Sequence, residues 1–512
     1  MNELEKIEQA LDHRDLQLAY DLCHSALKKS NNPPLLKLMS RVYAEAGETI
    51  AAGNALLKCI NDFGFDPNIA IDCSALFQSS MTNQVTSIRL CKNCLNHISK
   101  ISENNLNKLA TLLIQHDLIK QALKALEFGS QNYAFNKESA FNLANCYKFT
   151  GDFKRCDQML RAIIRKDREY YKAYSTMVSL PTNSFDNKDL HQVLESIENC
   201  SDYKHKQHLY YTLYLFHERK KDFSKAFHYL KAANEAEKSV IGNIKTDLDA
   251  SYRNAIRLFQ DMPIENSLRT NKTRAPIFVV GLPRTGTTLT ARLLSAHPDV
   301  QDAGERPFLN ICMSPMLNKS GKMSLTEQLA SSPLEEIVNS YLIHISEIIG
   351  SSTRFVDQKP TNYNLIGFIC LLIPNAKIIE VIRNPMDTCF SNYRQFFNRS
   401  VAGLQYTCDF DEIIKHFSHY KELMDFWQQK FPNKIYRLSY ESLVKDPLKE
   451  TERLYQACDL EFKQEYIQIE KLTSAVSTAS STQLREPVHS KYIERWKNYS
   501  TYLNPYRAKL PN

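Results

Sequence analysis

Residues 276–297 read PIFVVGLPRTGTTLTARLLSAH, and the fold of the carboxyl-terminal half turns on them. PIFVVG is a short apolar run bounded by a turn, which is the pattern of a buried strand. GLPRTGTT (Gly281 to Thr288) is a glycine-containing turn, and LTARLLSAH has the apolar spacing of a helix. Strand, tight turn and helix amino terminus in that order present unpaired backbone N–H groups to an anion. Against the triphosphate-binding pattern GxxxxGK[ST], both glycines are present at Gly281 and Gly286, but Thr287 stands in the lysine position. That lysine reaches the β- and γ-phosphates, so a kinase or ATPase reading loses its main cation. The positive charge sits instead at Arg284, on the turn itself.

Two further apolar runs follow, Ala376 to Ile382 (AKIIEVI) and Lys434 to Leu438 (KIYRL), each ending at a polar turn that leads into a helix. Strands alternating with helices predict an α/β domain with a central parallel sheet over 275–505, and a crevice along the carboxyl ends of its strands.

Upstream the pattern is different. Before residue 250 helical spacing holds almost throughout, and short turn signals recur at Arg14-Asp15, Gly47-Glu48, His116-Asp117, Gly151-Asp152 and Lys221-Asp222. Their spacing is close to whole multiples of about 34 residues, a tetratricopeptide period. Small and apolar residues flank each turn where two helices must touch, as with Leu143, Ala144 and Tyr147 before one turn and Cys156, Leu160 and Ile163 after it. The expected architecture is an α-solenoid of tetratricopeptide-like repeats over 1–250, a helical linker over 251–274, and the P-loop-like α/β domain. The groove of such an array can hold a protein partner or serve only as a packing or dimerisation arm.

Composition narrows the function classes. With 43% hydrophobic and 24% charged residues the chain reads as globular throughout. A net charge of +7 over 512 residues gives no field that points to nucleic acid. The start, MNELEKIEQALDHRD, lacks the layout of a signal peptide. The most apolar run, Leu365 to Ile373, is too short to span a bilayer. The 13 cysteines are scattered and odd in number, which suits reduced thiols, and a cytoplasmic protein is expected. Cys91 and Cys94 form CxxC with no second pair, which reads as a buried helix face rather than a zinc site.

GLPRTGTTLTARLLSAHPDVQDAGE (281–305) resembles the 5'-phosphosulfate loop of sulfotransferases that use 3'-phosphoadenosine 5'-phosphosulfate (PAPS), notably tyrosylprotein sulfotransferases and bacterial fusions of tetratricopeptide repeats to a sulfotransferase. By that resemblance Pro283, Arg284, Thr285, Gly286, Thr287 and Thr288 surround the 5'-phosphosulfate. The family's second signature is an arginine at a strand end and a serine eight residues later, holding the 3'-phosphate. AKIIEVIRNPMDTCFSNYRQF resembles it and supplies Arg383 and Ser391. Asn384 and Pro385 suit a helix start, and an arginine can grip one phosphate through two oxygens.

The same resemblance gives Glu305, 21 residues after Arg284, the role of general base; a salt bridge to Arg306 or a solvated turn is the plainer alternative. His297, in a helix-ending His-Pro pair, is a lesser candidate. Lys359 in VDQKPTNY matches a family lysine beside the transferred group, and Tyr440 in SYESLVKDP resembles a family tyrosine that contacts the cofactor. TASSTQLREPVHSKYIERWKNY resembles the cap of the bacterial fusions, which adds Ser480 to the catalytic set, Arg485 to the cofactor set and Trp496 to the packing. The eukaryotic enzymes carry a lysine where Glu486 stands here.

The expected function is therefore sulfuryl transfer from PAPS to a hydroxyl or amine, with no metal needed. The acceptor is left open among tyrosyl peptide, carbohydrate, lipid and small molecule, and a homodimer is a family habit. The reading from another class is a repeat scaffold carrying a degenerate or regulatory nucleotide module.

Overall fold

The computed structural model of the chain describes residues 2–78, 83–134, 136–182, 184–242, 248–261, 275–317, 325–350, 352, 354–397, 403–472, 474–475 and 482–511. They form two compact units, Met1–Thr150 and Gly151–Asn512.

The first unit is helical. Its helices meet in consecutive pairs, among them Glu3–Asp12 with Leu16–Lys29, Pro33–Glu45 with Thr49–Phe63, and Glu103–Gln115 with Ile119–Asn132. Ile7, Ala10, Leu11, Ala19, Cys23, Leu35, Met39 and Val42 form one buried cluster between the first helices. Cys91 and Cys94 are fully buried on the helix Gln84–Cys94, and burial pushes the Cys91 thiol up to about 11.

The turn signals that define the repeat share a backbone device. Arg14 (φ 57°), Gly47 (81°), Asp117 (54°), Gly151 (89°) and Lys221 (61°) all occupy the left-handed region just after a helix. In three copies the following aspartate caps the next helix, Asp15, Asp152 and Asp222 accepting from the N–H of Leu18, Arg155 and Lys225. Each such cap contributes about 1 kcal/mol.

The second unit begins with further helices, including the pair Tyr203–Arg219 and Phe223–Ile241, and continues into a five-stranded sheet. The strands are β1 (Ala275–Val280), β2 (Val300–Asp302), β3 (Arg354–Asp357), β4 (Lys377–Ile382) and β5 (Ile435–Ser439), ordered β2-β3-β1-β4-β5 and parallel at every pairing. Val279 pairs with Ile379 and Val381 with Leu438, so the apolar runs lie side by side. Ile277, Val279, Val356, Ile379, Val381 and Leu438 build the core on one face with Leu293, Leu294, Leu454 and Tyr455. A second core joins Tyr214, Ala226 and Leu230 of the helix pair to Phe390, Phe410, Tyr499 and Leu503. Strands β2 and β3 are too short to leave an apolar run in the sequence, and pairing with neighbours makes them strands.

Candidate active site

The turn after β1 is set by close approach. A Cβ on Gly281 would stand 2.9 Å from the Val381 carbonyl oxygen of β4, and one on Gly286 (φ 113°) would stand 2.7 Å from the Tyr440 ring. Glycine is the residue that fits both constraints. Arg284 between them takes φ 72°, and the Thr285 hydroxyl braces the turn by donating to the Leu282 carbonyl (2.8 Å). The helix Thr287–Ser295 then starts without a side-chain cap, which leaves first-turn N–H groups to meet an anion.

Arg383 follows β4. Its guanidinium stacks 4.5 Å from the Tyr440 ring and donates to the backbone oxygens of Arg284 (3.0 Å) and Tyr492 (2.6 Å). Its Nε is buried with no hydrogen-bond partner among the described residues, a polar atom that a bound anion would satisfy. Arg284 reaches Ser391 Oγ and Gln483 Oε1, both at 3.4 Å, contacts long enough to yield to a ligand. Withdrawal from water, with Arg394 and Arg383 nearby, lowers Arg284 to about 10, so it remains a cation at neutral pH.

A cavity of about 420 Å³ opens from this turn, within the range of small-molecule sites. Pro283, Arg284, Gly286, Thr287, Thr288, Glu305, Lys359, Arg383 and Tyr440 all line it. Ser391 lines an adjoining recess that shares Arg284, Arg383 and Tyr440 with the main cavity. Arg485 and Thr285 are not among the lining residues; the Arg485 guanidinium donates to the carbonyls of Leu472 and Ser474. Ser480 lies outside the described residues. His297 is buried against Tyr455 and Tyr466 and its ring accepts from the Asp299 N–H. Trp496 is buried in the second core.

Glu305 is held through its backbone neighbours. Ala303 N–H donates to Val356, Gln358 N–H to Gly304, and Arg306 Nε to Ala303, which ties the segment to the end of β3. Lys359 sits at the start of a short helical turn, its N–H donating to Asp357 Oδ1 (3.1 Å). Asp357 is fully buried and also accepts from Tyr341 Oη (2.9 Å) and Asn362 Nδ2 (3.0 Å). Burial drives its carboxyl up to about 6.

Several residues of the site carry no motif. The recess beside Ser391 is also lined by Arg394, Arg495 and Asp387. Arg394 comes three residues after Ser391, a helical neighbour that periodicity would have flagged. Arg495 precedes Trp496, in a segment whose reading stopped at packing. Another wall of the cavity is aromatic: Tyr252, Tyr363, Tyr406 and Phe397 line it with His416. Tyr252 Oη lies 3.0 Å from Tyr363 Oη and 3.1 Å from a His416 ring nitrogen, and Tyr406 stacks on His416.

Residues 276–464 match the sulfotransferase family. An uncharacterized protein of Aquifex aeolicus is 26% identical over 513 residues, covering 93% of this chain and 65% of that protein, so the chain spans less than two thirds of that relative's length. Protein-tyrosine sulfotransferase 1 of Danio rerio is 25% identical over 239 residues, covering 44% of this chain and 66% of that protein. Among solved structures, the sulfotransferase domain from the curacin biosynthetic pathway covers 47% of this chain and 100% of its own at 19% identity, with a TM-score of 0.34. Among the described residues no cluster of His, Cys, Asp and Glu could hold a metal ion, and no helix is long and apolar enough to cross a membrane.

Proposed function

We propose that the chain is a PAPS-dependent sulfotransferase whose donor lies across the turn Gly281–Thr288 and the end of β4. The observation that carries the reading is that Arg284 and Arg383, 99 residues apart, line one cavity together with Glu305 and Lys359. The donor set suits the ligand: uncapped helix N–H groups and Arg284 for the 5'-phosphosulfate, and Arg383 with its unpartnered Nε and Ser391 for the 3'-phosphate. When bound, the donor supplies an activated sulfuryl group.

Glu305 takes the proton from the acceptor hydroxyl. The acceptor oxygen would bond to sulfur as the bridging S–O bond breaks and adenosine 3',5'-bisphosphate leaves, with Lys359 and Arg284 placed to stabilise the negative charge on the departing oxygen. The aromatic wall of Tyr252, Tyr363, Tyr406 and Phe397 suits an acceptor that carries its hydroxyl on a flat, largely apolar body. The protein-tyrosine enzyme among the relatives has an acceptor of that shape.

The test is incubation with ³⁵S-labelled PAPS and fractionated lysate, comparing the native protein with Arg284→Ala and Glu305→Ala. Labelled product from native protein, and its loss in both variants, is the expected outcome; label unchanged in Glu305→Ala removes the assigned base. A scaffold with a degenerate module would show no saturable heat when titrated with adenosine 3',5'-bisphosphate.

A further inference from the structure

The recess beside Ser391 is reached from an unexpected direction. Glu218 belongs to the helix Tyr203–Arg219, within the region read as helical repeat and outside the residues that match the sulfotransferase family. Its side chain is 8% exposed, and both carboxylate oxygens are fully engaged. Oε1 accepts from Tyr214 Oη (2.9 Å) and Tyr499 Oη (3.0 Å). Oε2 pairs with Arg394 Nη2 (2.7 Å) and Arg495 Nη2 (2.8 Å).

Those two arginines both line the recess with Arg284, Arg383 and Ser391. Arg495 is fixed from its backbone as well, since Asp387 accepts from the N–H groups of Glu494 (2.6 Å) and Trp496 (3.2 Å). Glu494 itself is forced to φ 58°, a conformation that costs free energy and survives where surrounding contacts dictate it. Four guanidinium groups thus line a recess in which Asp387 is the acidic lining residue among those described, while Glu218 pairs with two of the four, an excess of positive charge suited to a phosphate dianion. The arginine pair keeps Glu218 ionised, below the usual carboxylate range despite its burial.

We propose that Glu218 is a positioning residue for donor binding: by clamping Arg394 and Arg495 it fixes the phosphate end of the nucleotide site from the repeat helices. The proposal rests on the sulfotransferase reading above. Its physical content is preorganisation. Two long side chains are ordered before the nucleotide arrives, so their rotamer entropy is not lost on binding.

The role has a distinctive sign. A carboxylate that only neutralised the arginines would weaken anion binding, and removing it would tighten the nucleotide. A carboxylate that holds the arginines in place does the reverse. Calorimetric titration of the full chain with adenosine 3',5'-bisphosphate, together with initial rates at varied donor, would compare wild type, Glu218→Gln, Arg495→Gln and the double variant. In Glu218→Gln the bisphosphate Kd and the donor KM are expected to rise about tenfold while kcat at saturating donor stays within about twofold. The double variant should fall short of the sum of the single effects, because one residue acts through the other.

A Glu218→Gln protein that melts like wild type yet binds the bisphosphate equally well or more tightly overturns the proposal. If that variant does not fold, Tyr499→Phe replaces it, since it removes one donor to Oε1 and leaves both arginine partners of Oε2 in the chain. A rise in Kd of about threefold there supports the clamp, and an unchanged Kd overturns it. Wild-type protein that gives no saturable heat overturns the donor reading itself and the clamp with it; normal wild-type binding beside an insensitive variant overturns the clamp alone.

Discussion

One wall of the cavity is made of guanidinium groups and backbone N–H groups, around Arg284 and Arg383, whereas another is made of rings, around Tyr252, Tyr363 and Tyr406. The cationic wall depends on fixed backbone: two glycines that admit no Cβ, and an arginine at positive φ. The aromatic wall depends on side chains from separate segments that bond to one another, Tyr252 to Tyr363 and His416. A rigid wall suits a donor that is the same in every turnover. On the proposed reading, a wall of exchangeable side chains is where acceptor choice would change without disturbing the donor.

If the two walls act separately, a change in the chemistry between them should leave nucleotide affinity alone. Glu305→Gln is expected to lower kcat by about 10²- to 10⁴-fold, while the Kd for adenosine 3',5'-bisphosphate, measured by calorimetry, stays at the native value. A large loss of nucleotide affinity in this variant would mean that Glu305 belongs to the donor wall.

Asp357 tests the support beneath Lys359. Its carboxyl is raised from 3.8 to about 6 by burial, so the folded chain holds this proton more tightly than the unfolded one. The contribution to stability is therefore fully present below about pH 3.8 and is lost as pH rises through about 6. The full loss is of the order of 3 kcal/mol. Asp357→Asn should remove that loss, so that thermal melts from pH 4.5 to 7.5 show the variant gaining on wild type as pH rises.

The cationic wall was the legible one because its chemistry is local. The turn needs its glycines and arginine within a few residues, and Arg383 and Ser391 sit on one strand end and the helix that follows, so each group leaves a fixed spacing. The three long apolar strands were legible for the same reason, while β2 (Val300–Asp302) and β3 (Arg354–Asp357) are too short and too polar to show a period. Tyr252, Tyr406 and His416 could not be read as a wall, since an aromatic residue in a helical pattern looks the same whether it packs a core or faces a cavity. Glu218 was hidden likewise. A charged residue near the end of a repeat helix reads as solvated, and its partners lie 176 and 277 residues away.

Gly286→Ala asks how far the rigid wall tolerates change. The new Cβ would meet the Tyr440 ring at 2.7 Å in a left-handed backbone conformation, and that ring is the one on which Arg383 stacks. The combined strain is about 2 kcal/mol, to be seen as a lower melting temperature and, because Arg383 shifts with the ring, as weaker bisphosphate binding.

Tyr252→Phe carries the smallest effect and bears most directly on the contrast between the walls. Tyr252 is 3% exposed, so removing its hydroxyl leaves Tyr363 Oη and a His416 ring nitrogen each short of one buried contact. The cost to stability is about 1 kcal/mol. The ring remains, so the apolar surface offered to an acceptor is kept, and acceptor KM should move by about two- to fivefold with a lost polar contact of this size. Bisphosphate affinity should not move, because none of these hydroxyls reaches Arg284 or Arg383 through a described hydrogen bond. If calorimetry instead showed nucleotide binding weakened in step with acceptor KM, the rings and guanidinium groups would form one coupled surface, and acceptor choice could not vary independently of donor binding.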